Sequence, residues 1–185
     1  MDESSQATPA ALPDDQQVDQ PEALIAAIVE IEHYVGLSGW DQPARLFALV
    51  PTAELKLAEP QLADALTVTS PDALSSIEQD DFRDGDDLAT TLGHIAWSDK
   101  VAGCALSLER TFLPAGFEGE APEDPAEAIA FVNSHPQRQD IRIVVGVLRD
   151  GTKWGMGRLQ KNQDGVLADP DLAPGLADAM IGTFE

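Results

Sequence analysis

Cys104 is the only thiol of the 185-residue chain. A nucleophilic cysteine needs an electropositive, partly exposed setting, such as a helix N-terminus or a neighbouring histidine. Cys104 instead lies in an apolar stretch with Leu106 and Leu108. The sequence therefore predicts a buried, inert core thiol. A single cysteine also excludes an internal disulfide and a metal site built from several cysteines.

The three histidines, His33, His94 and His135, are the other side chains that could carry catalysis. They form no pair spaced one helical turn apart, and no Gly-x-Ser-x-Gly sequence supplies a nucleophile. A base at His94 oriented by Asp99 is an alternative that stays open. The spacing of histidines and carboxylates selects no metal site, and we predict neither a metal nor a cofactor.

Gly155 and Gly157 form a Gly-x-Gly fragment. A dinucleotide-binding loop would follow a strand and open a helix. These glycines instead lie in the second strand of a hairpin, which the dipeptide Asp150-Gly151 predicts between two apolar runs. A two-residue loop would pair Arg149 with Thr152, Val147 with Trp154, and Val145 with Met156.

In this register, one face of the hairpin carries the large side chains and the other carries the small ones. The large-residue face consists of Ile143, Val145, Val147, Trp154 and Met156, and the small-residue face of Val144, Gly146, Gly155 and Gly157. Glycine within a strand is typical of close approach by another element. A tightly packed helix and a ligand or partner backbone are both compatible with this face.

The segment Trp40-Asp41-Gln42-Pro43 is the most distinctive turn of the sequence. Asp and Pro commonly stabilise turns, and an indole often packs at the edge of a core. Loops beside rigid strands also carry function frequently. The turn is therefore either structural or a recognition loop.

Charge limits the classes of partner. The net charge is −22 at pH 7, which disfavours binding to nucleic acids and to anionic membrane surfaces. The acidic residues either form a solvated surface that keeps the protein soluble or attract a basic partner protein. Hydrophobic residues make up 43% of the chain, enough for a core, but none of their runs approaches the roughly 18 residues of a membrane helix. These features predict a cytoplasmic protein.

The chain divides into an acidic tail, residues 1–20, and a single domain, residues 21–185. The tail is polar and predicted to be disordered. In the first predicted helix, residues 21–36, Leu24, Ile28 and Ile31 form an apolar stripe, and Glu30 and Glu32 are expected to face away from it.

The most acidic window is residues 78–87. Further helices are predicted at 52–58, 61–66, after Gly85, after Asp124-Pro125 and at 174–184, and strands at 45–50, 73–79 and 101–113.

This order predicts an α+β fold, with an antiparallel or mixed sheet of about four to five strands and helices mainly on one side. The C-terminal β-hairpin is followed by a helix.

Three segments look familiar together: residues 39–52, residues 94–106, and the hairpin with the closing Pro174-Gly175-Leu176-Ala177-Asp178. They resemble a family of uncharacterised proteins from actinobacteria, over residues 21–185. The resemblance implies a single bacterial cytoplasmic domain and brings no activity, substrate or catalytic residue.

The sequence favours a cytoplasmic binding or adaptor protein without catalytic activity, which binds a protein partner or associates with itself. The alternative is a small enzyme with a site around His94 and Asp99. The candidate ligand or partner surface consists of Trp40, Asp41, His94, Trp97, Gly146, Gly155 and Gly157.

Overall fold

The structure is a computed structural model that describes residues 21–185, apart from Thr67, Thr69, Asp86 and the side chain of Glu118. The predicted tail, residues 1–20, lies outside the described residues. The helices in this part of the chain are α1 (Glu22–Gly36), α2 (Thr52–Ala58), α3 (Leu88–Leu92), α4 (Pro125–Ser134) and α5 (Pro174–Ile181). The strands are β1 (Arg45–Pro51), β2 (Leu74–Glu78), β3 (Gly103–Phe112), β4 (Gln139–Leu148), β5 (Lys153–Leu159) and β6 (Val166–Asp169).

The strands form one antiparallel sheet in the order β2-β1-β3-β4-β5-β6. The predicted α+β class is confirmed, with six strands instead of about four to five. The additional strand is β6, which has only four residues and all of them exposed. So short and exposed a segment gives no alternating apolar pattern from which a strand can be predicted.

Each face of the sheet carries its own core. The α1 face bears Phe47, Ala105 and Val144, which pack against the apolar stripe of α1. The α5 face bears Cys104, Leu106 and Val145, which pack with residues of α3 and α5. Leu55 of α2 also lies on the α5 face, beside Ala48 and Val50. Most helices that contact the sheet therefore share one face, while the longest, α1, covers the other.

Local capping signals correctly predict the start of α4. The Asp124 carboxylate accepts a hydrogen bond of 3.0 Å from the Glu127 backbone N–H, and Pro125 occupies the first turn. The boundaries of α2, residues 52–58, also match the prediction. The apolar stripe of α1 is confirmed, with Leu24, Ile28 and Ile31 buried. These elements depend on neighbouring residues only, which is why the sequence predicts them well.

The predicted hairpin register is wrong by one residue. Gly146 pairs with Trp154, and Val145 pairs with Gly155. The loop has three residues, because the Leu148 backbone N–H donates to the Thr152 carbonyl at 2.8 Å and Gly151 adopts a φ of 89°. This is the geometry of a type I turn followed by a left-handed residue.

The register shift redistributes the glycines between the two faces, because a shift of one residue turns every side chain over. Trp154 and Met156 join Val144 and Gly146 on the α1 face, while Gly155 and Gly157 lie on the α5 face. A single small-residue face does not exist. Each glycine of β4 and β5 instead lies opposite a larger residue on the neighbouring strand.

Candidate functional site

The loop between α1 and β1, residues 37–44, is held in place by the amide of Gln42. Its Nε2 donates to the Val35 carbonyl at 2.9 Å and to the Gly39 carbonyl at 2.5 Å, and its Oε1 accepts from Arg45 at 3.0 Å. Asp41, within this loop, has a φ of 64°, in the left-handed region. These three hydrogen bonds hold the loop in place and thereby fix the positions of Trp40 and Asp41.

The carboxylate of Glu109, on β3, binds the backbone of this loop. Its Oε2 accepts the backbone N–H groups of Asp41 at 2.9 Å and Gln42 at 3.2 Å. Its Oε1 accepts from Arg142 at 3.2 Å, and Arg142 also donates to the Gly39 carbonyl. The indole of Trp40 covers the Arg142 guanidinium, with 4.4 Å between ring centroid and Cζ.

A row of four charged side chains continues across the α1 face. Glu109 pairs with Arg142 across β3 and β4, and Arg142 lies opposite Arg158 of β5. Arg158 forms a two-pronged ion pair with Glu32 of α1, at 2.5 and 3.0 Å. Arg142 is only 2% exposed, and its Nε has no hydrogen-bond partner among the described residues. Two carboxylates thus balance two guanidiniums beneath the C-terminal half of α1.

The expectation that Glu32 faces away from the core is wrong. Glu32 is 5% exposed and lies on the buried side of α1. Its position is four residues after Ile28 and three before Val35, so helical spacing places it on the apolar stripe. The helical spacing could therefore have predicted that Glu32 is buried. The sequence does not show that its partner is Arg158 of β5, which lies 126 residues away.

Trp40 and Asp41 line a polar cavity of about 320 Å³ at the end of the α1 face, beyond the last turn of α1. The other residues of its wall come from β3, β4 and the segments beside β4 and β5: Glu109, Arg110, Thr111, Arg138, Asp140 and Gln160. Two predicted surface residues are therefore brought together here. The remaining wall residues were not predicted, since they are polar and scattered over 50 residues of sequence.

A second concavity, the α3–α5 groove, lies on the α5 face. Its volume is about 310 Å³ and its lining is almost entirely apolar. Leu108 and Ile143 form the floor, and Leu88 and Leu92 of α3 face Leu176 of α5 across it. Arg110 borders both the groove and the polar cavity.

Comparison with known proteins relates the chain to one family. The family model described as PPA1309-like protein matches residues 24–185. The chain belongs to the PPA1309-like family. No curated protein and no solved structure matches it. The predicted resemblance to an uncharacterised family is thus confirmed over residues 24–185.

His94 and Asp99 of the PPA1309-like chain are both exposed. Among the described residues, no hydrogen bond or ion pair joins them. Trp97 has a structural role: its Nε1 donates to the Thr183 hydroxyl at 2.8 Å, and its ring stacks on Phe184 with 6.0 Å between centroids. The segment containing these residues does not reach the polar cavity.

The three glycines of the predicted surface lie beneath other parts of the same chain. A Cβ added to Gly146 would lie 2.9 Å from side-chain atoms of both Leu24 and Ile28 of α1. A Cβ on Gly155 or Gly157 would meet Leu172, at 2.8 and 3.5 Å. Of the two alternatives for these glycines, close packing within the fold accounts for their positions without a ligand or a partner backbone.

The part of the chain that the structure describes contains no group of three or more histidine, cysteine, aspartate or glutamate side chains able to hold a metal ion. Over the same residues, no helix has both the length and the hydropathy needed to cross a bilayer.

We expect Cys104 to be almost unreactive towards iodoacetamide in the folded PPA1309-like protein. The side chain is 0% exposed, and burial raises the pKa of its thiol to about 12, so both access and the thiolate fraction are very low. Mass spectrometry after alkylation should show unmodified protein under native conditions and complete modification in denaturant. Rapid stoichiometric labelling of the native protein would show that the thiol is accessible.

Proposed function

We propose that this PPA1309-like protein is a non-catalytic, cytoplasmic adaptor that binds a basic, amphipathic segment of a partner protein in the α3–α5 groove. The apolar lining of that groove is the observation that carries the proposal. Leu88 and Leu176 are half-buried at its walls, and Ile143 is half-buried at its floor. An apolar side chain of a partner would remove this surface from water, which is favourable by about 25 cal/mol per Å².

The charge beside the groove supports a basic partner. The Asp87 carboxylate accepts the backbone N–H groups of Ala89 and Thr90, each at 3.3 Å, so it lies at the start of α3. The Asp84 carbonyl accepts the Thr91 hydroxyl at 3.1 Å, which holds the acidic window against the same helix. Arg110 also lines the groove, but lysines or arginines flanking the apolar anchor on the α3 side would lie near the Asp87 carboxylate and be attracted by the overall charge of −22.

The same charge opposes a second copy of the chain as the occupant. Two groove surfaces that both carry the acidic window would repel each other. Self-association therefore stands as the competing outcome, and static light scattering after size exclusion measures it directly. If the chain forms a dimer and Ala89→Trp dissociates it, the groove mediates self-association. That result would contradict the adaptor proposal.

The partner can be captured through Ala89, an exposed residue of α3 that lines the groove. A photo-crosslinking amino acid at this position should join the full chain to a discrete protein in native cells. Its crosslinked peptide should contain an apolar residue next to lysine or arginine. The matched control carries the crosslinker at Ala126, an exposed alanine of α4, and should give no such product.

A groove-filling substitution tests the binding site itself. We expect Ala89→Trp to weaken binding of the captured peptide by about 10-fold or more, because the indole occupies the space of the apolar anchor. Ala126→Trp should leave the affinity unchanged, and raised salt should weaken binding to the wild type. Equal affinities of the two variants, or a captured peptide without basic residues, would contradict the proposal.

Placement in the cytoplasm is part of the proposal. Fractionation of native cells is expected to recover the protein with the cytoplasmic fraction. Recovery with the envelope or the medium would contradict this placement.

A further inference from the structure

The polar cavity beside Trp40 is lined by two guanidiniums that form no ion pair with a described carboxylate. Arg110 donates to the Glu109 carbonyl at 3.0 Å, and Arg138 donates to the Asn133 carbonyl. Both bonds use Nη1 and a backbone oxygen, so further N–H groups of each guanidinium remain available. Both side chains are exposed, and both line the same cavity.

The carboxylates of the same wall differ in what they already bind. Glu109 is occupied on both oxygens, by two backbone N–H groups and by Arg142. Asp140 accepts the Thr111 hydroxyl on Oδ1 at 2.5 Å, which leaves Oδ2. Asp41 is exposed, and its carboxylate has no hydrogen bond from the described residues. The cavity thus offers acceptors at Asp41 and Asp140, in addition to the donors on the arginines.

A wall of this kind does not suit a ligand with charge of one sign only. A simple anion would be attracted by the arginines but repelled by Asp41 and Asp140, and a simple cation would meet the opposite conflict. A ligand that carries both charges satisfies both sets of groups. The cavity volume of about 320 Å³ lies at the lower end for ligand pockets, which indicates a small molecule.

We propose that this cavity binds a free α-amino acid. Arg110 and Arg138 hold the carboxylate by charge-assisted hydrogen bonds. Asp41 and Asp140 accept hydrogen bonds from the ammonium group, and the indole of Trp40 forms an apolar side of the cavity. This ligand site adjoins the α3–α5 groove at Arg110 and would give the adaptor a second, small-molecule ligand.

Isothermal titration calorimetry of the full chain with each standard L-amino acid tests the ligand class. At least one amino acid should bind with an affinity of millimolar or better. Its N-acetyl derivative, which lacks the ammonium charge, and its methyl ester, which lacks the carboxylate, should each bind at least about 10-fold more weakly. No binding by any amino acid, or equal binding of either derivative, would overturn the proposal.

Two variants locate the site. Asp41→Asn removes the carboxylate while keeping a residue that tolerates the left-handed backbone, and Arg138→Gln removes a guanidinium. Each should weaken binding of the amino acid by about 10-fold or more. Arg83→Gln, which removes an exposed charge outside the cavity, should not. Arg110 is left intact because it also borders the groove. Unchanged affinity in both cavity variants would place the ligand elsewhere and overturn the proposal. In the wild type, the amide chemical shifts of residues near Trp40 should change when the amino acid binds.

Discussion

Substitution of Arg142 by alanine is expected to lower the free energy of unfolding by about 4 kcal/mol, because it breaks a buried ion pair and leaves a cavity. The guanidinium is almost fully buried, and it joins β4 to Glu109, to the Gly39 carbonyl and to the ring of Trp40. Its removal leaves the Glu109 carboxylate without its charge partner and removes the support beneath the loop.

Urea denaturation monitored by circular dichroism measures this effect. The matched control is Arg83→Ala, which removes an exposed guanidinium that, among the described residues, donates only to the carbonyls of Asp80 and Phe82. That change should stay within about 0.5 kcal/mol of the wild type. A loss below about 1 kcal/mol for Arg142→Ala, in the range of exposed ion pairs, would show that the row of charges contributes little to stability.

Substitution of Gly103 by alanine is expected to cost about 3 kcal/mol, at the upper end for an overpacked site. A Cβ at this position would lie 2.3 Å from the Val147 carbonyl oxygen and 3.2 Å from the Leu148 Cα. Both are backbone atoms of β4, so relief requires β3 and β4 to move apart where they pair. No change of side-chain rotamer can provide that space.

Gly175→Ala is the matched control for this prediction. Gly175 lies in the first turn of α5, and a Cβ there would meet nothing within 4 Å. Alanine should therefore leave the free energy of unfolding unchanged or raise it by up to about 0.5 kcal/mol through its helix propensity. Equal stability of the two alanine variants would show that the β3–β4 pairing tolerates a side chain at Gly103.

Features that depend on adjacent residues could be predicted from the sequence. The cap at Asp124, the stripe of α1 and the burial of Cys104 in β3 all match the structure. The hairpin register could not be predicted, because Asp150-Gly151 fits loops of two or three residues and the choice exchanges the faces of β5. The decisive contact, between Leu148 and Thr152, involves residues outside the dipeptide.

The candidate site was predicted only in part. The distinctive turn at residues 40–43 predicts a surface role for Trp40 and Asp41, and both line the polar cavity. Arg138 and Asp140 could not be joined to them, because that requires the pairing of β3 with β4. His94 is a rare residue type near a carboxylate, but adjacency in sequence does not bring exposed side chains into a shared pocket.

The position of α1 has a consequence for synthesis on the ribosome. The helix precedes every strand of the described sheet in sequence, yet the surface that covers Leu24 and Ile28 includes Gly146, and the partner of Glu32 is Arg158. A nascent chain therefore keeps part of the apolar stripe of α1 uncovered until β4 and β5 have been made, because Phe47 of β1 and Ala105 of β3 cover only the rest of it. We expect α1 to dock late, which makes the N-terminal helix the part of the nascent protein most exposed to chaperones and to aggregation.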